Sequence, residues 1–337
     1  MNRAAAPKCP GARRWVAAGL LLIGLLATAA PVQALDRVSL GLVWTHQSQF
    51  AGIYVAQDQG LYRQYGLEVR VRTGGPHKDS LRELAQGHCQ FVMSSLAAAM
   101  VRRAKGLELV HLAQVVQRSA NLLVARASTG ITSLADLEGR RVSLWGGISS
   151  LAAQALFRHQ GIKVRTIPQG TTITLLLTGA VDVASAMRYN EYHQLYQAGV
   201  DYDELVVFDM AKLGINLPED GIYTMEGTWR RSPDICRRLV AATLAGWRRA
   251  FADPQAALDS VMRRVHRDRL ATNRSHQRWM LEEMRRIIMV PRDQPGRMGR
   301  LDPRTFALVG RVLQAHGFIK STPAMQDMVV NAHRKRP

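Results

Sequence analysis

The chain has 337 residues, 47% of them hydrophobic, with 45 Lys and Arg against 26 Asp and Glu and a formal charge of +19. That length is enough for two lobes with a sizeable core, while three cysteines (Cys9, Cys89 and Cys236) make neither a disulfide framework nor a metal-ligand spacing. Such a charge can signal nucleic acid, an anionic membrane or an anionic ligand, but the arginine pairs at 230–231, 237–238, 248–249, 263–264 and 285–286 recur inside amphipathic helical patterns and are expected to be solvated faces.

The first residues have the three parts of an export signal. Arg3, Lys8, Arg13 and Arg14 make a basic start, Trp15 to Ala30 is uncharged and apolar, and Val32 and Ala34 stand at the small-residue positions of a cleavage site. The apolar run of 16 residues is short of the roughly 20 that a spanning helix needs. Residues 1–34 are therefore expected to be a cleaved signal peptide, placing the mature protein in the periplasm with a charge of +15 and Cys89 and Cys236 as buried free thiols. Export also argues against nucleic acid as a partner.

After the leader the pattern alternates. "RVSLGLVW" predicts a strand and "FAGIYVAQDQGLYRQYG" a helix closed by Gly66. "LEVRVRT" is a strand, and "DSLRELAQG" a helix capped by Asp79 or Ser80 and stopped at Gly87. "QFVMSS" and "LELVHLAQVV" are strands around the helix "LAAAMVRRAKG". The grammar restarts near Ser133 with a capped turn, "SLADLEG". "RRVSLWGG", "KVRTIPQ" and "VDVASAM" are strands; "SSLAAQALFRHQG", "TITLLLTG" and "NEYHQLYQAG" are helices. "LAQGHCQFVMSS" (84–95) lies over "LLTGAVDVASAM" (176–187) at a constant offset of 92, matching Gly87 to Gly179 and Gln90 to Asp182. Two similar α/β lobes with largely parallel sheets follow. Beyond Glu226 strand signals stop, and four helical patterns form a tail expected to pack on the first lobe. The expected division is 35–125 and 126–222 for the lobes and 223–337 for the return.

Ligands of open α/β sheets sit beyond the carboxyl ends of the strands. That selects Trp44 after the first strand and Ser94 and Ser95 after "QFVM". In the second half it selects Gly146, Gly147 and Ser149 of "WGGISS", and Tyr189, Asn190 and Glu191 after "VDVASAM". Trp44 fits a core residue equally well. "WGGISS" suits a phosphate or carboxylate at a helix start. Asn190 and Glu191 equally fit a cap and a first-turn acid, and "PEDG" (218–221) a turn with solvated acids. No HExxH, GxSxG, phosphate loop or metal-spaced Cys/His set is present, and the ten histidines are scattered. The pattern is that of a binding site without catalytic residues, metal or cofactor.

"QFAGIYVAQDQGLYRQYGLEV", "GHCQFVMSS", "AMRYNEYHQLYQAG" and "EDGIY" resemble the substrate-binding proteins of ABC importers for thiamine-pyrimidine precursors. Alkanesulfonate-type binding proteins and the fungal thiamine pyrimidine synthases are related to them. The resemblance implies a type II periplasmic-binding-protein fold, two α/β lobes with a hinged ligand cleft and a helical C-terminal region. It implies a flat pyrimidine held by Trp44 and Tyr189 and read by Glu191, with Asn190 and Asp220 beside them. It further implies a monomer that delivers a small molecule to a permease and ATPase at the inner membrane. A pyrimidine synthase, a ligand-sensing partner of a membrane receptor, and a binder of riboflavin-like rings or sulfonate-type anions are the alternatives. Where the synthases place a substrate histidine, this chain has Phe50, which argues for binding without chemistry. Intact mass of exported protein should show residues 1–34 removed and Leu35 as the new terminus; a full-length membrane-bound product would contradict the cleaved leader.

Overall fold

Alternation of apolar and charged residues sets the first two strands. β1 (Asp36–Gly41) and β2 (Leu67–Arg72) run parallel, Val38 beside Val69 and Leu40 beside Val71. In β2 Leu67 and Val69 are buried and Glu68 and Arg70 exposed, as suits a strand on a sheet edge. The structure, a computed structural model, describes residues 1, 2, 4, 34–290, 298–330 and 332. The apolar run and Val32 of the expected signal lie outside the described residues. No helix among the described residues is long and apolar enough to cross a membrane.

The remaining strands are β3 (Phe91–Ser94), β4 (Leu109–Gln114), β5 (Asn121–Arg126), β6 (Arg141–Leu144), β7 (Arg165–Pro168), β8 (Val183–Met187), β9 (Leu205–Asp209) and β10 (Gly221–Met225). They form two sheets, ordered β2-β1-β3-β10-β4 and β7-β6-β8-β5-β9. In the first, β10 lies antiparallel between β3 and β4. In the second, β5 lies antiparallel between β8 and β9. The sheets are thus mixed, not largely parallel, because each takes in a strand that has just crossed from the other half. β5, β9 and β10 carry no strand signal in the sequence reading; they are short apolar runs whose partners lie far away in the chain. The boundaries at 125 and 222 fall inside β5 and β10, which belong to the second and first sheet respectively.

The internal repeat is real at the level of hydrogen bonds. Gly87 and Gly179 both adopt left-handed backbone, φ 74° and 71°, which glycine tolerates best. Beyond them, Gln90 Oε1 accepts from the Ser39 amide of β1 at 2.9 Å, and Asp182 Oδ2 accepts from the Arg141 amide of β6 at 2.9 Å. Each half thus ties its glycine corner to its first strand in the same way.

The expected helix after β1 breaks in two at Gly60, φ 68°, giving α1 (Ala51–Asp58) and α2 (Leu61–Gln64). There follow α3 (Ser80–Ala85), capped by Asp79, α4 (Leu96–Ala104), α5 (Leu151–Gln160), α6 (Thr174–Leu177) and α7 (Glu191–Gln197). The return comprises α8 (Glu226–Arg231), α9 (Pro233–Ala252), α10 (Pro254–Arg267), α11 (Arg274–Ile288), α12 (Pro303–Ala315) and α13 (Met325–Met328). The helices α9 to α11 share one apolar core with β1, β4 and α1, while α12 packs against α4 of the first lobe and α5 of the second. The return therefore touches both lobes. Its arginines are not all solvated. Arg264 is buried, clamps Asp58 through two bonds of 2.9 and 2.8 Å, and covers the Tyr54 ring. Arg238 bonds Asp36 at 2.6 Å and the carbonyls of Tyr65 and Gly66. Cys89 and Cys236 are free and buried, and burial pushes the Cys236 thiol up to about 12.

The closest helix contact is between α1 and α9. A Cβ on Gly246 would stand 2.1 Å from the Gly52 carbonyl oxygen, and one on Gly52 would stand 2.3 Å from the fully buried Trp247 ring. Gly246→Ala should lower stability by about 1–3 kcal/mol through overpacking, despite the better helix propensity of alanine. The melting temperature should fall by roughly 2–4 °C per kcal/mol; an unchanged melting curve would show that the helices separate freely at this point.

Candidate functional site

The chain crosses between the sheets along 115–120 and again along 210–220, and the two crossings are bonded to each other. Asn216 Oδ1 accepts from the Ser119 amide at 2.7 Å, and Gln114 Nε2 donates to the Glu219 carbonyl at 2.5 Å. Glu219 is the centre of this junction. Its Oε1 accepts from Ser119 Oγ at 2.8 Å and Asn121 Nδ2 at 2.9 Å, and its Oε2 from the Ala120 amide at 3.2 Å. Burial still raises its pKa, against those donors.

Asp220 follows with φ 47°, a left-handed conformation that aspartate adopts more readily than most side chains. The turn delivers the chain into β10 and leaves the Asp220 carboxyl buried. Gln49 Nε2 donates to both of its oxygens, at 3.1 and 2.9 Å, and Gln49 Oε1 accepts from Gln47 Nε2 at 2.6 Å. Burial, opposed by the Gln49 bonds and reinforced by the Glu219 charge, pushes the Asp220 carboxyl up to about 7. The loop after β1 thus supplies the amide that meets this acid. Its His46 is held elsewhere, bonded to the Tyr54 hydroxyl at 2.7 Å and to Arg267 at 3.0 Å.

From the second lobe, β8 delivers Tyr189, Asn190 and Glu191. Tyr189 is buried, and its hydroxyl pKa lies well above the ordinary value through desolvation and then the charges of Asp220, Glu219 and Glu191. Tyr189 therefore lies within the field of three carboxyls from two parts of the chain. Glu191 is buried too, its pKa raised by that burial. Its Oε2 accepts from the Met187 amide at 2.9 Å and its Oε1 from Asn190 Nδ2 at 2.7 Å. The solvated reading of the two "PEDG" acids fails, since Glu219 and Asp220 are both buried, while Asn190 and Glu191 do stand at the cap and first turn of α7.

Of the residues selected from sequence, Tyr189, Asn190, Glu191 and Asp220 come together. Ser94 is buried and pairs with Gly221, next to Asp220. Ser95 is spent as the cap of α4, accepting from the Ala98 amide at 3.2 Å. Trp44 is half-buried against the first core, its carbonyl accepting from the Gly74 amide at 3.0 Å. Gly146, Gly147 and Ser149 lie exposed on a turn (147–150) before α5. They share the sheet edge with Tyr189, since β6 and β8 run parallel. Their neighbour Ser150 donates to the Gly147 carbonyl at 2.8 Å. Sequence selection missed Gln49, Glu219, His193 and His276. Gln49 lies in a polar stretch beside Trp44, which was a usable signal; His276 lies on a tail helix with none.

The fold is that of two-lobed periplasmic binding proteins. The aliphatic sulphonate binding protein SsuA of Escherichia coli superposes with a TM-score of 0.69 at 12% identity, over 88% of this chain and 93% of that one. The chain belongs to the NMT1/THI5-like family, whose model matches residues 47–257. It is 25% identical to the riboflavin-binding protein RibY of Chloroflexus aurantiacus, over 90% of this chain and 89% of RibY. It is 23% identical to a formylaminopyrimidine-binding protein of Halalkalibacterium halodurans, over 89% and 91% of the two chains. By family and fold it stands close to the binding proteins of ABC importers.

Asp220 makes stability pH-dependent. Its folded pKa is raised, so the stability it confers is complete below its unfolded pKa near 3.8 and is lost as pH rises through about 7. Asp220→Asn should remove that loss. In urea unfolding, the variant should gain on the wild type between pH 5 and pH 8; an equal difference at both pH values would mean that Asp220 is ionised freely in the folded protein.

Proposed function

We propose that the protein is the exported solute-binding component of an importer and that it holds a flat, amino-bearing heteroaromatic ring of the thiamine-pyrimidine type between its lobes. The carrying observation is the buried set of Asp220, Glu219 and Glu191 around Tyr189. Three carboxyls in a desolvated site repel a sulfonate or phosphate. They suit exocyclic amino groups and protonated ring nitrogens, which make charge-assisted bonds to carboxylates. Tyr189 and Trp44 supply aromatic faces for stacking, worth about 0.5–1.5 kcal/mol beyond area burial. The exposed "WGGISS" turn has the chemistry for an anion, but it lacks the burial that distinguishes the carboxyl cluster. A riboflavin-like ring shares the planarity and ring N–H donors, and the similarity to RibY over nine-tenths of the chain keeps it as the second reading.

No reaction is proposed. Phe50, where the related synthases place a histidine that is consumed, is fully buried and packs edge-on to Tyr54 at 6.5 Å. A permease and ATPase at the membrane are the partners this role requires, and the leader supplies the export.

An aminopyrimidine at 100 times its dissociation constant stabilises the folded state by about 2.7 kcal/mol, a melting shift of roughly 5–10 °C for a chain of this size. Glu191→Gln turns an acceptor into a donor facing the ring's amino group and should remove about 1.5–3 kcal/mol of that. Tyr189→Ala should weaken binding through lost stacking. A shift from an alkanesulfonate and none from aminopyrimidines would overturn the ligand class; a shift from riboflavin alone would promote the second reading.

A further inference from the structure

Two histidines that are 83 positions apart in the chain meet across the cleft. His193 on α7 belongs to the second lobe. His276 begins α11, which is fastened to the first lobe by the next residue: Gln277 Oε1 accepts from the Ser48 amide at 2.6 Å. The imidazoles meet edge to edge, their centroids 5.1 Å and their Nδ1 atoms 2.8 Å apart. On one face His193 stacks on Trp279 of α11 at 4.8 Å and 8°. Trp279 in turn donates to the Arg188 carbonyl at 3.2 Å and stacks on Tyr202 at 5.6 Å. The first lobe's α11 is thus gripped by second-lobe rings.

The bonding pattern determines the tautomers. Asn190 Nδ2 donates to Glu191 Oε1, and its Oδ1, turned away from Glu191, accepts from Gln194 Nε2 at 3.1 Å. That Oδ1 lies 3.0 Å from His276 Nε2, which must therefore carry hydrogen. In neutral His276 the Nδ1 is then a bare lone pair, and His193 Nδ1–H is its donor. A continuous chain runs from Glu191 through Asn190 and His276 to His193.

We propose that His276 is an interlobe positioning residue of the ligand site: it bonds His193 and Asn190 across the cleft, holds Glu191 in place through Asn190, and lets go when both imidazoles carry protons. The inference rests on the reading that Tyr189 and Glu191 line a ligand cleft. A first proton only reverses the bond, because His193 can carry its hydrogen on Nε2 and accept from His276 Nδ1–H; with a proton on each ring two Nδ1–H donors face each other and the bond is lost. The surrounding titratable and charged groups are Tyr192, Tyr196 and Glu191 from α7, Tyr202 from the turn after it, Arg188 from the turn after β8, and Glu283 from α11, paired with Arg286. Among the described residues no carboxylate bonds either ring directly to hold a proton there. Burial, and then the His193 charge, lower the His276 pKa from 6.5 to about 4, and burial lowers that of His193.

The sign follows from the open cleft, where the ring returns to water and its ordinary pKa. Closure binds protons less well than opening does. Its advantage is therefore complete above about 6.5 and is lost as pH falls toward about 4. Between pH 7.5 and pH 5.5 that linkage weakens closure, and any ligand held by it, roughly tenfold.

The test uses the mature protein without ligand, by small-angle scattering, and then with 4-amino-5-hydroxymethyl-2-methylpyrimidine by calorimetry, each at pH 7.5 and 5.5. Wild type should be compact at pH 7.5 and expand at pH 5.5, with affinity falling roughly tenfold. His276→Gln keeps an amide donor toward Asn190 and removes one of the two titrating rings, so its affinity ratio between the two pH values should fall well below that of wild type, the His193 linkage alone remaining. His193→Asn keeps the N–H facing His276 and should stay closed at pH 7.5. His193→Phe keeps the stacking but lacks the N–H and should be open at both. The inference is overturned if wild type scatters alike at both pH values, if His276→Gln keeps the tenfold ratio, or if the asparagine and phenylalanine variants behave alike. If the pyrimidine binds at neither pH while scattering follows the expected pattern, the ligand reading fails and the clasp stands.

Discussion

A buried carboxylate holds the two halves of this protein in register. Glu219 sits where both crossing segments pass, and its oxygens accept from Ser119, Ala120 and Asn121 on the outgoing one. A carboxyl taken out of water is unfavourable unless its lone pairs are filled, so the donors and the acid define each other's positions. Once they meet, β5 can enter the second sheet and β10 the first. The sheets are completed by exchanged strands, and neither half closes its sheet alone.

That junction also creates the electrostatics of the site. Asp220 must follow Glu219 immediately, and its left-handed backbone turns its carboxyl into the same desolvated region. Burial raises the proton affinity of both acids, and the Glu219 charge raises that of Asp220 further. Gln47 and Gln49 answer from the loop after β1, so a stretch that is only polar in sequence becomes the wall that receives an acid. Strain of this kind is retained where function requires it.

The return helices do more than cover the first sheet. Arg264 and Arg238 reach inward to Asp58 and Asp36, and α11 carries neighbouring residues that bind one lobe each, Gln277 the first and His276 the second. Part of the basic excess is therefore internal framework. Closure of the cleft and the orientation of Glu191 are joined through a single helix.

Local chemistry is legible in the chain. The alternation of "LEVRVR", the glycine stops at 87 and 179, the cap at Asp79 and the amphipathic tail all act through neighbours within a few residues, so sequence suffices for them. The offset of 92 between the halves and the cluster at 189–191 were equally readable, since strand ends point to the cleft in any sheet of this class. β5 and β10 were not readable, because their pairing depends on where a crossing chain lands. The raised pKa of Asp220 was not, because burial sets it and "PEDG" in isolation is a solvated turn. The meeting of His193 with His276 was not either, as nothing within a turn of either residue refers to the other. What depends on contacts between near neighbours the sequence determined by itself; what depends on desolvation and on distant strands and rings coming together, only the tertiary structure decided.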